Sequence, residues 1–377
     1  MTEVPTIAPD AYGVYVHVPF CSVRCDYCDF ATWADRAHLI DAYVDAVVTD
    51  LDRQRAAGAP RATTVFMGGG TPSLLDGPQV ARILDAIDRT PDAEVTIECN
   101  PDAIDAARLA AYRAAGADRL SFGVQSMSSH VLIALGRTHD PANVERAVAL
   151  ARDAGFARIN LDLITGTPGE SLDDWRRTLD AALELEPEHI SAYALTVEPG
   201  TPLGRRVASG GAPAVDEDAQ ADAELVADAV LAAAGFEWYE ISNWARPGEE
   251  CRHNLGYWWG GEWGAAGCAA HGFRNGRRWW NVRTPERYIE RIAAGEDPAS
   301  GDEVLDRAAR AEEALGLALR TRVGATVAEP AVAVVDDLVE GRLAVRTADR
   351  VVLTPTGRLM ATDITARLIL AGAASIA

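Results

Sequence analysis

Six short β-rich runs follow one another from Tyr12 onward, each separated from the next by a helical stretch. That series limits the fold more than any single residue does. The runs are GVYVHV, TTVFMGGG from Thr63, EVTIEC from Glu94, DRLSFGV from Asp118, ARINLDLI from Ala157 and HISAYALTV from His189. Between them, segments such as HLIDAYVDAVVTDLDRQRAAG and PANVERAVALARDAG carry apolar residues at helical spacing and a glycine near the end. Alternation of this kind predicts an α/β fold with a parallel sheet. Six units fall short of the eight that close a standard barrel. An open, partial (β/α)6 barrel or a doubly wound sheet remains. The unusual residues, Cys21 to Cys28, Gly68 to Gly70, Glu98, Gln125 and Asp162, cluster at strand C-termini. That is the edge from which a barrel builds its site, so the partial barrel is favoured.

After Thr201 the pattern changes. A Gly/Pro-containing loop precedes an acidic, alanine-rich helix near Val215 to Ala234, and residues 1–240 are expected to form the barrel. Residues 241–300 are rich in aromatics and glycine, and we read FEWYEISNWARPGEECRHNLGYWWGGEWGAAGCAAHGF as strands and loops closing the open side of the sheet. From 301 to 377 helices return, with LAVRTADRVVLTPTGRLMATDITARLI patterned as a β-hairpin and helix, the make-up of a small winged-helix module.

Charge excludes some functions. The 56 acidic and 35 basic residues leave a net charge of −21, which disfavours a nucleic-acid binder, and the C-terminal module lacks a basic recognition face. Every basic residue is Arg, so neither a P-loop lysine nor a lysine Schiff base is available. MTEVPTIAPDAYG has no basic region followed by an apolar run, and no stretch is long and apolar enough to span a bilayer. The expected location is the cytoplasm, because three of the six cysteines crowd into CSVRCDYC. Such spacing points to metal or redox chemistry in a reducing compartment rather than to a disulfide framework.

Cys21, Cys25 and Cys28 follow directly on the first strand as C-x3-C-x2-C. A closed zinc site needs a fourth ligand, and Asp29 or His17 could supply it. An iron–sulfur cluster held by three thiolates would leave one iron open to a small ligand. The glycines of MGGGTPS let backbone groups approach such a ligand closely. Glu98, Gln125, Arg137 and Asp162, each at or just after a later strand, add polar groups on the same edge.

CSVRCDYC after YVHVPF resembles the radical S-adenosylmethionine (SAM) signature. In that superfamily the open iron is chelated by the amino and carboxylate groups of SAM, and an electron from the cluster cleaves the sulfonium to a 5′-deoxyadenosyl radical. Taken with MGGGTPS, IECNP, SFGVQS, LGRTH and NLDLITGTPG, the chain is similar to the coproporphyrinogen dehydrogenase-like family almost throughout. This family contains HemN enzymes and HemW haem chaperones. The resemblance implies a [4Fe-4S] cluster on Cys21, Cys25 and Cys28, with Tyr15 and Tyr27 against the cluster and SAM. Gly69, Gly70 and Thr71 would contact SAM through the backbone, and Glu98 would accept from its polar groups. Gln125, Arg137 and Asp162 match positions that hold a second SAM in the dehydrogenase, where Arg pairs with a carboxylate.

Two departures point to the HemW branch. The dehydrogenase motif continues to a further cysteine where this chain has Phe30, and its N-terminal segment is longer than the twenty residues before Cys21. A third feature agrees with them: HNLGYW, from His253, fits the HNxxYW motif of HemW proteins. His253 is therefore the expected axial contact for haem, with Tyr257, Trp258 and Trp259 offering apolar area. His271 has weaker support, and Ala270 is placed against the adenine pocket. Cys99, Cys251 and Cys268 receive no role. The implied function is haem binding and delivery to haem-dependent partners such as membrane-associated respiratory enzymes. Oxygen-independent decarboxylation of coproporphyrinogen III is the alternative.

Overall fold

A computed structural model describes residues 11–137 and 140–374. The first ten residues, and with them most of the N-terminal stretch discussed above, lie outside the described residues, as does His139 of LGRTH.

The six expected strands are β1 (Tyr12–Val18), β2 (Ala62–Gly69), β3 (Arg89–Cys99), β4 (Arg119–Gln125), β5 (Arg158–Thr165) and β6 (His189–Ala194). They pair in parallel and in sequence order, each with the next. A doubly wound sheet reverses its strand order at a switch point; this one does not. The result is the partial barrel.

Two alternating sets of residues explain why these strands curl around a polar interior. Val14, Val16 and Val18, with Val65 and Met67 and then Val95 and Ile97, belong to one apolar core shared with helix residues such as Tyr43, Val47 and Leu84. The alternate positions Tyr15, Phe66, Thr96, Ser121, Asn160 and Ser191 surround an internal space of about 140 Å³. Helices begin where the sequence caps them. Asp76 and Gln79 form a reciprocal capping box ahead of Gly77–Ala86, and Ser171 with Asp174 does the same for Leu172–Glu184.

The stretch after residue 236 corrects the expectation that it closes the open side of the sheet with strands. Instead it extends both edges. β7 (Glu237–Glu240) and β8 (Asn243–Ala245) add antiparallel to β6, and β9 (Glu262–Ala266) adds parallel to β1. β10 (His271–Arg274), β11 (Arg277–Asn281) and β12 (Ala299–Val304) then continue outward as an antiparallel meander. CRHNLGYWW is not a strand but a helix, Arg252–Trp258. Its aromatic and glycine residues have low helix propensity, and tertiary hydrogen bonds described below override that preference.

Beyond β12 the helices Arg307–Leu319, Val332–Glu340 and Ala361–Leu370 pack with a small sheet around an apolar core separate from that of the barrel. The expected hairpin, Ala344–Thr347 with Arg350–Leu353, is present and leads into helix. Arg322 fastens this part to the barrel through Glu237 at 2.6 Å and through Glu250. Arg358 does so through Asp228 at 2.7 Å and the face of Trp238.

Candidate functional site

The chain leaves β1 at Val18 and makes a loop whose base is locked by backbone bonds. Trp33 N–H donates to Pro19 O at 2.8 Å, and Cys21 N–H donates to Trp33 O at 3.1 Å. Its far side is pinned by Asp26, whose N–H donates to Leu135 O at 3.1 Å and whose carboxylate pairs with Arg206. The three cysteines are therefore displayed on an anchored loop at the C-terminal edge of the barrel. They line one cavity of about 530 Å³, together with Tyr27, Gly69, Gly70, Thr71, Glu98, Gln125, Arg137 and Asp162. Of the site residues expected beside the cysteines, only Tyr15 and His253 do not line it.

Gly69 and Gly70 form the cavity floor for steric reasons. Gly69 sits at φ +112°, and a Cβ there would lie 2.4 Å from the His17 ring. At Gly70 a Cβ would meet Phe20 O at 2.7 Å and Val18 O at 2.8 Å. The Gly69 N–H donates to Glu98 Oε2 at 2.9 Å, which fixes the Glu98 carboxylate against the floor. Burial, with the charge of Asp162 behind it, pushes Glu98 up to about 8. Asp162 accepts from Ser121 Oγ at 2.7 Å and Asn160 Nδ2 at 2.8 Å, and burial raises its pKa as well.

Arg137 brings the opposite charge. Its Nε is buried with no hydrogen-bond partner, and its guanidinium makes no ion pair among the described residues. Buried acceptors, a buried guanidinium that rests on Tyr27 without an ion pair among the described residues, and backbone exposed by glycines fit an amino-acid-like ligand carrying an ammonium, a carboxylate and hydroxyls. Gln125 contributes from a left-handed backbone, φ 66°. Such strain in a non-glycine residue is concentrated at functional sites.

The thiols also suit a cluster. Cys21, Cys25 and Cys28 are free and half-buried, and burial raises the first two above the ordinary thiol range. Among the described residues no three Cys, His, Asp or Glu converge on a single metal-ion position. Three thiols spread around one cavity match a polynuclear cluster better than a mononuclear zinc. His17 is withdrawn as a fourth ligand. It is buried, Nε2–H donates to Ala31 O at 2.9 Å, and Nδ1 accepts from Tyr15 O–H at 3.0 Å.

His253 lies elsewhere, on the inner side of the helix Arg252–Trp258. It is buried, with Nδ1 bonded to Thr64 Oγ1 at 2.8 Å and Nε2 to the Tyr257 hydroxyl at 2.7 Å. Its N–H donates to Glu94 Oε1 at 3.1 Å. Burial depresses the ring to about 4 and keeps it neutral. Without haem, both ring nitrogens of His253 are engaged within the protein. The motif also bolts the helix in place: His253 and Tyr257 bond one helical turn apart, and Asn254 Nδ2 donates to Glu240 Oε1 at 2.6 Å.

The remaining cysteines are also buried. Cys99 belongs to the helix-facing core, Cys251 contacts Glu94 Oε1 at 3.5 Å, and Cys268 lies 3.5 Å from the Tyr43 hydroxyl. His271 differs from the other cavity histidines: it is exposed on β10, stacked on Trp280.

Residues 15–182 match the radical SAM superfamily. Over 97% of its length the chain is 45% identical to the heme chaperone HemW of Mycobacterium tuberculosis, covering 98% of that protein. The chain belongs to the HemW family. It is also 42% identical to the Escherichia coli heme chaperone HemW, over 77% of each chain. The crystal structure of E. coli coproporphyrinogen III oxidase, HemN, superposes with a TM-score of 0.82 at 21% identity, covering 96% of this chain and 91% of that one. At that identity the likeness establishes a common fold.

Phe30, where the chain departs from the dehydrogenase pattern, is 66% exposed and lines the cysteine cavity. Sequence reasoning missed the parts that hold the site in place. His17 under Gly69, Arg206 on Asp26, and the Ser121, Asn160 and Ser191 bonds around Asp162 join residues far apart in the chain. Only the alternation of polar residues along β4 to β6 carried a signal for the last group. Among the described residues no helix is long and apolar enough to cross a membrane.

Proposed function

We propose that this protein is a haem chaperone of the HemW type, binding haem and passing it to haem-dependent proteins. The observation that carries the reading is 45% identity over nearly the whole of both chains to a protein named heme chaperone HemW. Phe30 and HNLGYW, where the chain departs from the dehydrogenase pattern, support it independently.

Cys21, Cys25 and Cys28 would hold a [4Fe-4S] cluster in the 530 Å³ cavity, and that cluster supplies electrons when bound. Gly69, Gly70, Thr71 and Glu98 would hold SAM beside it, with Tyr27 against the cluster. Tyr15, bonded to His17, would act from the neighbouring space. Arg137, Gln125 and Asp162 would receive a second anionic ligand, with Arg137 as its cationic partner. Membrane-associated respiratory enzymes are the proposed recipients of haem, reached from the cytoplasm.

The test is anaerobic reconstitution of the cluster followed by parallel assays for haem binding by absorbance and for conversion of coproporphyrinogen III. Saturable haem binding without decarboxylation is expected. Turnover to protoporphyrinogen IX would overturn the proposal in favour of the dehydrogenase.

A further inference from the structure

A histidine that meets an iron gives one ring nitrogen to a hydrogen-bonded partner that fixes the ring, and presents the lone pair of the other. The His253 ring is fixed from several directions. Phe66 stacks on it with centroids 5.4 Å apart, and Gly13 makes room for it where a Cβ would come within 3.0 Å of Cε1. The backbone N–H of His253 donates to Glu94 Oε1 at 3.1 Å, and Glu94 is buried and paired with Arg119 at 3.6 Å. Thr64 Oγ1, 2.8 Å from Nδ1, is placed to accept from Nδ1–H. In that tautomer the lone pair is on Nε2, and the Tyr257 hydroxyl donates to it at 2.7 Å. The hydroxyl therefore stands where a metal would approach.

Tyr257 is the member of the pair that can move. It is half-buried, in the last turn of the seven-residue helix Arg252–Trp258, and exposed Gly260 follows at φ +66°. It borders three spaces, of about 600, 370 and 140 Å³, and shares the last two with His253. His189 makes a similar bond, with Nε2 2.7 Å from the Tyr239 hydroxyl, but Tyr239 is only 1% exposed. The bonding is alike and the access is opposite: one pair is sealed in the core, and the other has room to open.

We infer that Tyr257 is a gate on haem, its hydroxyl capping His253 Nε2 in the haem-free protein and competing with iron for the same lone pair. The inference rests on the haem-chaperone reading, with His253 as the iron contact, and adds the residue that keeps binding reversible. Loading requires the hydroxyl to leave; its return assists release. No proton changes hands, because Tyr257 keeps its hydrogen and Nδ1 keeps its own. A ligand that binds only the open state is weakened by the population of the closed one. A neutral hydrogen bond in competition changes affinity about fivefold, equivalent to about 1 kcal/mol.

The experiment is haem titration of the full-length protein, read at the Soret band, with release measured against excess apomyoglobin. Tyr257→Phe should bind haem about fivefold more tightly and release it correspondingly more slowly, although it loses a hydrogen bond of the fold. A tyrosine of purely structural use would move affinity the other way. Thr64→Val, which leaves Nδ1–H without its acceptor, should weaken binding and shift the Soret band, and Thr64→Ser should restore both. His253→Ala, the control for the contact, should weaken binding about tenfold or more. Cluster iron content, measured in parallel, checks that each variant is folded. Wild-type or weaker affinity in Tyr257→Phe, with His253→Ala still losing haem, would overturn the gate and leave the chaperone reading intact. Wild-type affinity and spectrum in His253→Ala would overturn the gate by removing the contact, again without touching that reading. Wild-type protein that binds no haem would sink both.

Discussion

Replacing His253 with alanine isolates the structural part of its role. The change removes hydrogen bonds to Thr64 Oγ1 and Tyr257 O–H, each contributing about 1 kcal/mol net, and leaves both hydroxyls short of a partner. It also removes a ring stacked on Phe66, with centroids 5.4 Å apart. Together these put the cost at about 3 kcal/mol near pH 7. That cost depends on pH in a definite direction. The buried ring titrates at about 4 in the folded protein and near 6.5 once unfolded. Below pH 6.5 the unfolded chain takes up a proton that the folded one refuses, so stability falls by about 1.4 kcal/mol for each pH unit until the folded value is reached. Between pH 7 and pH 5 the wild-type advantage over His253→Ala should shrink by about 2 kcal/mol. Anaerobic urea unfolding, followed by tryptophan fluorescence for both proteins at both pH values, measures this double difference. A variant within about 0.5 kcal/mol of wild type at pH 7 would refute the bolt. So would a gap that stays constant with pH.

Three further outcomes are expected. Cys25→Ala should lose the broad visible absorbance of the cluster and its iron; a full iron complement in that variant would remove Cys25 from the ligand set. Gly69→Ala should cost about 2 kcal/mol or more in a urea melt, because its Cβ would overlap the His17 ring at a left-handed φ, and it should lower SAM affinity in equilibrium dialysis. Arg322→Ala should destabilise by about 3 kcal/mol by leaving the buried Glu250 carboxylate unpaired, and should speed proteolysis between the barrel and the C-terminal helices.

The barrel was legible in sequence because its signals are local. Val14, Val16 and Val18 alternate with the interior set, and β2, β4 and β5 end in Gly69, Gln125 and Thr165. The C-terminal hairpin and helix were legible for the same reason. The helix at HNLGYW was not. Its conformation is set by partners up to 189 residues away, Thr64 for His253 among them, and aromatic side chains there suggested a strand. For the site, residue types and strand-end positions brought Cys21, Cys25, Cys28, Glu98, Arg137 and Asp162 to one cavity. Sequence position could not show that Thr64 and Tyr257 engage both ring nitrogens of His253. Hydrogen-bond saturation of that kind is decided only by tertiary structure.

The most direct measurement is the haem stoichiometry of the reconstituted protein, followed by incubation with a haem-free acceptor enzyme and separation of the two proteins. One haem bound per chain, recovered on the acceptor with its activity restored, is the result expected of a chaperone. Haem that stays on the donor, or protoporphyrinogen formed from coproporphyrinogen III in the same preparation, would contradict it.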